Sequence, residues 1–139
     1  MSVRVVLGVL TSISAALTCL VGLSTVADPL GTAARFGVEL AEDPVLRTVL
    51  LTLGAAVISL GVFTALAARW VFLDRAEGRT LVLLCAGSLL LVAALGGVIG
   101  ASRQILLLDG IRGAVLLVLG SLWAPGGARG GNPGGGAAP

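Results

Sequence analysis

Four long runs of apolar residues, separated by short polar segments, dominate the chain. They cover about residues 5–27, 44–68, 80–101 and 103–123. Each run has the roughly 20 residues that a helix needs to cross the hydrocarbon core of a bilayer, and no strand pattern of alternating polarity interrupts them. The pattern therefore predicts an all-α integral membrane protein in which residues 1–123 form a four-transmembrane-helix bundle.

Two Asp-Pro pairs mark where helices are expected to begin. They stand at Asp28-Pro29 and Asp43-Pro44. Asp is favoured as a helix N-cap, and Pro at the first helical position gives up an N–H group that has no partner there. The first pair predicts a short helix that begins at Pro29, ends before Gly37 and lies flat at the membrane interface between spans one and two. The second pair predicts that span two begins at Pro44.

The two ends of the chain need separate interpretations. Arg4, the apolar run after it, and Thr25 and Ala27 imitate a secretory signal peptide. The apolar cores of signal peptides have about 7–15 residues, whereas this run is longer, so we favour an uncleaved first span.

At the other end, residues 124–139 are rich in Gly and Pro. Such a segment buries too little apolar surface to offset its ordering entropy and is predicted to be a disordered tail.

The composition agrees with a lipid environment. Hydrophobic residues make up 57% of the 139 residues and charged residues 12%, whereas about a quarter of the residues in soluble domains are charged. A short chain keeps a large fraction of its surface exposed, so this much apolar surface indicates the lipid bilayer as the main partner. All nine basic residues are Arg, which suggests a bacterial source with a GC-rich genome.

The residue types that are missing from the sequence narrow its chemistry. The chain has no His, no Lys, no Tyr and only two Cys. Imidazole bases and His-ligated metals are thus excluded, two thiols are too few for a thiolate cage, and no glycine-rich nucleotide loop follows a strand. The net charge of +2 is small and the Arg residues are scattered, so the sequence shows no basic patch of the kind that binds nucleic acid. We predict neither a metal nor another cofactor, and no nucleic-acid partner.

The distribution of Arg predicts the orientation of the spans. Four spans place both termini and the loop between spans two and three on one side. The basic residues on that side are Arg4, Arg69, Arg75, Arg79 and Arg129. The opposite side carries fewer basic residues and several acidic ones, namely Arg35, Arg47, Arg103, Asp28, Glu39, Glu42 and Asp43. Because cytoplasmic loops hold the excess of basic residues, we predict a multi-pass protein of the inner (plasma) membrane with both termini cytoplasmic.

Small residues are expected to form the contacts between helices, since the hydrophobic effect does not join helices inside a bilayer. Span three carries Gly96-x-x-x-Gly100 and Ala93-x-x-x-Gly97, and the other spans contain further Gly, Ala and Ser residues. Such spacing is common in membrane bundles. It supports compact packing of four helices and leaves a homo-oligomer open as an alternative.

The two cysteines are predicted to remain free thiols. Cys19 lies about 15 residues into span one and Cys85 about five residues into span three, which runs in the same direction. At 1.5 Å per residue their depths differ by roughly 13–15 Å. A disulfide requires Cα atoms within about 7 Å, so the two thiols are too far apart to bond.

Asp109 and Arg112 are the unusual residues of the fourth span. Their spacing of three places them on one face of a helix, and that face continues through Gly113, Leu116 and Gly120. A charge at the bilayer centre costs about 2.5–3.5 kcal/mol on insertion scales. Three interpretations compete: an internal ion pair that locks the bundle, an Arg112 that snorkels to the outer headgroups, or part of a functional site.

The outer end of the predicted bundle gathers the charges that favour a site. The short helix after Pro29 is expected to fold over the mouth of the bundle, where charged residues would join Asp109 and Arg112. The candidate binding residues are Arg35, Glu39, Arg47 and Arg103. If the site is catalytic, the candidate residues are Asp109 and Arg112 themselves.

Several short motifs resemble a known group of small proteins. They are "RFGVE", "LRTVLLTLGAAVISLG" and, at the start of the last span, "SRQILLLDG". The sequence is similar in these segments to small four-span bacterial membrane proteins of the DoxX-like or domain-of-unknown-function type. The resemblance covers about residues 4–123 and implies the same fold, with Arg47, Arg103, Asp109 and Gly110 at its recurring positions. It implies little about function.

Two functions fit these observations. The first is a binding or accessory protein that holds a lipophilic small molecule or a partner membrane protein at the polar outer mouth; the lack of His, Lys and Tyr favours it, because most acid–base sets draw on those residues. The alternative is a small membrane enzyme of the isomerase or cyclase type. In it Asp109 would act as acid or base on a lipophilic substrate, and Arg112 or Arg47 would hold an anionic group.

A third function is disfavoured by the first span. Small exporters built as dimers of four-span subunits place an essential acid inside their first helix, whereas this chain has no ionisable group between Arg4 and Asp28.

Overall fold

The computed structural model describes residues 2–35, 44–98 and 103–125, and these ranges contain helices and no strand. The helices are α1 (Val3–Ala27), α2 (Pro29–Arg35), α3 (Pro44–Phe72), α4 (Ala76–Val98) and α5 (Arg103–Leu122). The predicted all-helical class is confirmed. In the described part of the chain three helices are long and apolar enough to cross a membrane: α1, α3 and, within α4, Ala76–Leu95. The fourth predicted span corresponds to α5, a helix of 20 residues.

Both predicted Asp-Pro helix starts are found. Helix α2 begins at Pro29 and helix α3 at Pro44. The Oδ1 atom of Asp28 accepts a hydrogen bond of 2.9 Å from the backbone N–H of Gly31, which is the N-cap interaction expected of this residue. The predicted cap Asp43 lies outside the described residues, as do Gly37 and the predicted tail from residue 126 onward.

The connection between α3 and α4 is much shorter than the hydropathy pattern predicts. Helix α3 continues to Phe72 and helix α4 begins at Ala76, because hydropathy marks the apolar part of a helix and the backbone hydrogen bonds continue beyond it. Asp74 in the turn adopts a left-handed φ of 55°, a conformation that Asp tolerates better than most residues. Its backbone N–H donates to the carbonyl of Val71 at 3.1 Å, which closes the turn.

Helices α1 and α3 pack closely through glycines. A Cβ atom on Gly22 would lie 2.8 Å from the backbone nitrogen of Ile58, and one on Gly54 would lie 3.2 Å from the backbone nitrogen of Val26. Further along, Gly61 faces Cys19. Residues near the end of α1 contact residues near the start of α3, so the two helices are antiparallel. Their backbones nearly touch.

Helices α4 and α5 form the second close pair. A Cβ atom on Gly113 would lie 3.1 Å from the carbonyl oxygen of Ala86. At the end of α5, Arg79 donates from Nε to the carbonyl of Gly120 at 3.2 Å and from Nη2 to the carbonyl of Ser121 at 3.1 Å. A guanidinium at a helix C-terminus satisfies carbonyls that have no partner in the helix. Arg79, which the sequence presents as a surface charge, thus holds α4 to α5.

The two helix pairs meet through α1–α5 and α3–α4 contacts. The main apolar cluster combines residues from all four long helices: Leu7, Ala67, Val71, Val82, Ala86, Leu89, Leu116 and Trp123. Most of these residues belong to the half of the assembly that contains the α3–α4 turn. The core therefore lies toward that end, and it stops near the middle of α5.

Both cysteines are free thiols, as predicted. Cys85 is buried on α4, whereas Cys19 is half-buried on α1 against Gly61. They sit on helices of different pairs, so no disulfide connects the pairs.

Candidate functional site

Asp109 and Arg112 form an ion pair on α5. The Nη1 atom of Arg112 lies 2.9 Å from Oδ1 of Asp109, close enough for a hydrogen bond as well. The two side chains are only 24% and 22% exposed, respectively. The internal ion pair expected from the spacing of three is therefore present.

Arg112 also binds helix α1, which the sequence does not predict. Its Nη2 atom lies 2.8 Å from the hydroxyl oxygen of Ser14, 2.9 Å from the Ser14 carbonyl and 3.0 Å from the hydroxyl oxygen of Thr18. Both α1 residues are buried. The guanidinium therefore bridges the two helix pairs and is not extended toward headgroups. We call Ser14, Thr18, Asp109 and Arg112 the polar layer.

Thr18 and Ser14 are themselves connected, one turn apart on α1. The Thr18 hydroxyl donates to the Ser14 carbonyl at 2.9 Å, which is the usual way for a Thr in a helix to use its proton. The Thr18 oxygen keeps its lone pairs for the guanidinium. A guanidinium only donates hydrogen bonds, so the Thr18 hydroxyl, whose own proton is already donated to the Ser14 carbonyl, suits it as an acceptor.

Two polar atoms of this layer have no hydrogen-bond partner in the described part of the chain. The Nε atom of Arg112 is buried without an acceptor. Oδ2 of Asp109 accepts no hydrogen bond either, but it is not one of the buried unpartnered atoms of the described residues, so the cost of burial falls on Nε. A buried polar atom without a partner costs about 1–3 kcal/mol, and more when it belongs to a charged group. The layer thus offers one unused donor and one unused acceptor within a single ion pair.

The polar layer lies near the middle of the long helices. Arg112 is nine residues into α5 and Ser14 is eleven residues into α1, which corresponds to about 13–16 Å from the ends of helices 30 Å or more in length. The apolar cluster begins one turn away, at Leu116. The pair therefore lies about halfway along α5, at the depth that its position in the fourth span indicates.

The other candidate binding residues are placed apart from the pair. Arg35 ends α2, Arg47 lies in the first turn of α3 and Arg103 begins α5, and all three are exposed. Within residues 2–35, 44–98 and 103–125 none of them makes an ion pair with Asp109. Glu39 lies outside the described residues.

The position of Arg47 shows the size of this separation. Gly61, fourteen residues further along α3, faces Ala15 and Cys19 and so marks the level of the polar layer. Arg47 is thus about 21 Å from that level along α3, several times farther than a side chain reaches. It lines a separate cleft of about 630 Å³ together with Asp28 and Thr48.

Ser14 and Thr18 are the site residues that sequence reasoning missed. They belong to a buried stripe of α1 that also contains Leu7 and Thr11. The spacing of the stripe indicates which face of α1 points inward. It gives no indication of which helix lies opposite, so nothing in the sequence links Ser14 to Arg112.

The chemistry available to the polar layer is that of one carboxylate and one guanidinium. No group of three or more His, Cys, Asp or Glu residues that could hold a metal occurs where the chain is described. The chain matches no protein-family model, no curated protein and no solved structure. The likeness to DoxX-like proteins thus stays a prediction, and the function must be argued from the geometry.

Proposed function

We propose that this chain is a four-span membrane protein that binds a lipophilic molecule through the Asp109–Arg112 ion pair. The observation that carries the proposal is the pair of unused atoms, Arg112 Nε and Asp109 Oδ2, in the middle of apolar helices. Ionisable groups at such depth mark functional sites because they are costly to keep there. A ligand that meets both atoms would offset this cost.

The proposed topology has α1, α3, α4 and α5 as the four spans. Helix α5 has 20 residues, enough for a span, and it packs on both α1 and α4. The excess of Arg near the termini and in the α3–α4 turn supports cytoplasmic termini in a plasma membrane. Helix α2 would then lie at the outer interface.

The ligand is expected to be apolar except for one group that both donates and accepts hydrogen bonds. Such a group, for example a hydroxyl or an amide, would donate to Asp109 Oδ2 and accept from Arg112 Nε. A Cβ atom on Gly110, the residue after Asp109, would meet no atom of the described residues within 4 Å, so α5 is uncovered on the side of Gly110. The group belongs to a lipophilic small molecule or to the transmembrane segment of a partner.

The test removes one charge at the site and one elsewhere. The full chain, its Asp109→Asn variant and its Asp74→Asn variant are purified in native membrane discs and compared by mass spectrometry. Asp74 lies in the α3–α4 turn, so its substitution is a matched control. We expect a co-purifying small molecule or protein with the unmodified chain and the control, and its loss with Asp109→Asn. Equal retention by all three would refute the proposal.

An enzyme is the second candidate, and one observation favours it. The unbonded Oδ2 of Asp109 is placed to exchange a proton with a substrate, and the adjacent guanidinium would stabilise a developing anion. The same samples distinguish the two functions. If the chain is an enzyme, the unmodified chain retains a product and Asp109→Asn retains the unconverted isomer, which chromatography before the mass measurement separates. If it is a binding protein, Asp109→Asn retains neither.

A further inference from the structure

A second cleft lies at the start of α3, away from the polar layer. Residues 27–30, where α1 turns into α2, form one wall, and Pro44, Arg47 and Thr48 on α3 form the other. Its volume of about 630 Å³ falls in the range of small-molecule sites, about 300–1,000 Å³. The cleft is about 21 Å along α3 from the level of the polar layer, so it is a separate site.

The cleft carries opposite charges on its two walls. Asp28 contributes a carboxylate whose Oδ1 is bonded to the Gly31 N–H, while Arg47 contributes an exposed guanidinium. Within the described residues the two side chains do not form an ion pair with each other, and Arg47 makes no hydrogen bond. The walls thus hold a guanidinium that makes no side-chain hydrogen bond within the described residues and a capping carboxylate whose Oδ2 accepts none.

We infer that this cleft binds the head group of an amine-bearing zwitterionic phospholipid, with the phosphate on Arg47 and the ammonium on Asp28. Guanidinium groups match phosphate oxygens in geometry and charge. An ammonium offers three N–H donors, which a carboxylate accepts. The inference rests on the proposed membrane topology, because the cleft must lie at the bilayer surface, but it does not require any ligand at Asp109.

The surroundings of the cleft suit a lipid better than a soluble zwitterion. Pro29 and Leu30 supply apolar walls.

The charge pattern also predicts which lipids are bound less well. A choline head group carries no N–H to donate to Asp28, and an anionic glycerol head group brings no cation to it. We expect a preference of about five- to tenfold for phosphatidylethanolamine over phosphatidylcholine and phosphatidylglycerol, roughly the worth of one charge-assisted hydrogen bond at a partly exposed site.

The experiment measures lipid retention by native mass spectrometry. The full chain in detergent is mixed with equal amounts of the three phospholipids, and the bound copies are counted. Asp28→Asn should abolish the preference for phosphatidylethanolamine while keeping the helix cap, since Asn caps as well as Asp. Arg47→Gln should reduce retention of all three lipids. Arg35→Gln and Asp74→Asn make the same charge changes outside the cleft and should behave like the unmodified chain.

Three results would overturn the inference. They are equal retention of the three lipids by the unmodified chain, an undiminished preference in Asp28→Asn, and displacement of the lipid by millimolar soluble phosphoethanolamine. Asp109→Asn should keep the lipid preference. It therefore distinguishes a failure of the lipid inference from a failure of the function proposed for Asp109. Thermal melting in detergent verifies that each variant is folded.

Discussion

The Nη2 atom of Arg112 on α5 lies 2.8 Å from the hydroxyl oxygen of Ser14 on α1, although 98 residues separate them in sequence. The first and last long helices are thereby joined by a charged hydrogen bond. Each of the pairs α1–α3 and α4–α5 is held by close glycine contacts, whereas the polar layer, the α3–α4 contacts and the apolar cluster join one pair to the other. The strength of the polar layer should therefore contribute to how firmly the two pairs stay together.

Replacing Ser14 by Ala should lower the free energy of unfolding by about 0.5–2 kcal/mol. The substitution removes one acceptor of the guanidinium and leaves the Ser14 carbonyl in place. A hydrogen bond inside a membrane contributes modestly to the free energy of unfolding, and one to a charged group contributes more. Ser12→Ala is the matched control, because the Ser12 hydroxyl donates only to the Gly8 carbonyl of its own helix. Denaturant titration in detergent micelles measures both; equal effects would mean that Ser14 contributes no bond between helices.

Replacing Asp109 by Leu should be more damaging, with a loss of about 2–4 kcal/mol, because it leaves the Arg112 charge unpaired among apolar groups. The double variant Asp109→Leu with Arg112→Leu should lose less than the sum of the two single variants, since it removes both charges. The same titration, applied to the four proteins of this double-mutant cycle, gives the coupling energy. Strict additivity would show that the ion pair contributes nothing to stability.

The sequence predicts half of the polar layer. Asp109 and Arg112 stand out because charges are rare in apolar runs, and a helical spacing of three suffices to pair them. Ser14 and Thr18 do not stand out, since a hydroxyl in a helix ordinarily bonds its own backbone, as Thr18 does. Only the packing of α1 against α5 reveals that these hydroxyls also accept from Arg112.

Gly22→Ala should destabilise the chain by about 1–3 kcal/mol, the usual cost of overpacking. A Cβ atom there would lie 2.8 Å from the backbone nitrogen of Ile58 and 3.0 Å from the carbonyl of Gly54, and backbone atoms cannot move aside as side chains do. Gly87→Ala is the control, because its Cβ would meet nothing within 4 Å; it should stabilise α4 slightly. Melting temperatures in detergent compare the two, and a lower value for Gly87→Ala than for Gly22→Ala would contradict the packing of α1 on α3.

Helix starts were easier to predict than helix ends. Pro29 and Pro44 mark their helices by backbone geometry, which acts locally and is readable from two residues. No residue type signals the end of α3 at Phe72 or the start of α4 at Ala76. A helix can continue beyond its apolar part through polar residues such as Arg69. The order in which the helices contact one another also depends on long-range packing.

Cysteine labelling should find both ends of the chain on the cytoplasmic side. In a background with Cys19→Ala and Cys85→Ala, single cysteines are introduced at Ala137 in the tail, at Ala76 at the start of α4 and at Ala34 on α2. A membrane-impermeant maleimide should label intact cells only at position 34, and positions 76 and 137 only after permeabilisation. Labelling of position 137 in intact cells would exclude the proposed orientation.

The bridge from Arg112 to Ser14 and Thr18 bears on how the polypeptide is made. A ribosome releases α1 first and α5 last, so by the time the guanidinium emerges its hydroxyl acceptors are already in place. A translated fragment that lacks α1 would deliver the same cation to the translocon with Asp109 as its partner but without the acceptors that α1 supplies. The N-terminal helix would thus act as an internal chaperone for the last one, and truncation from the front should impair biogenesis more than truncation from the back.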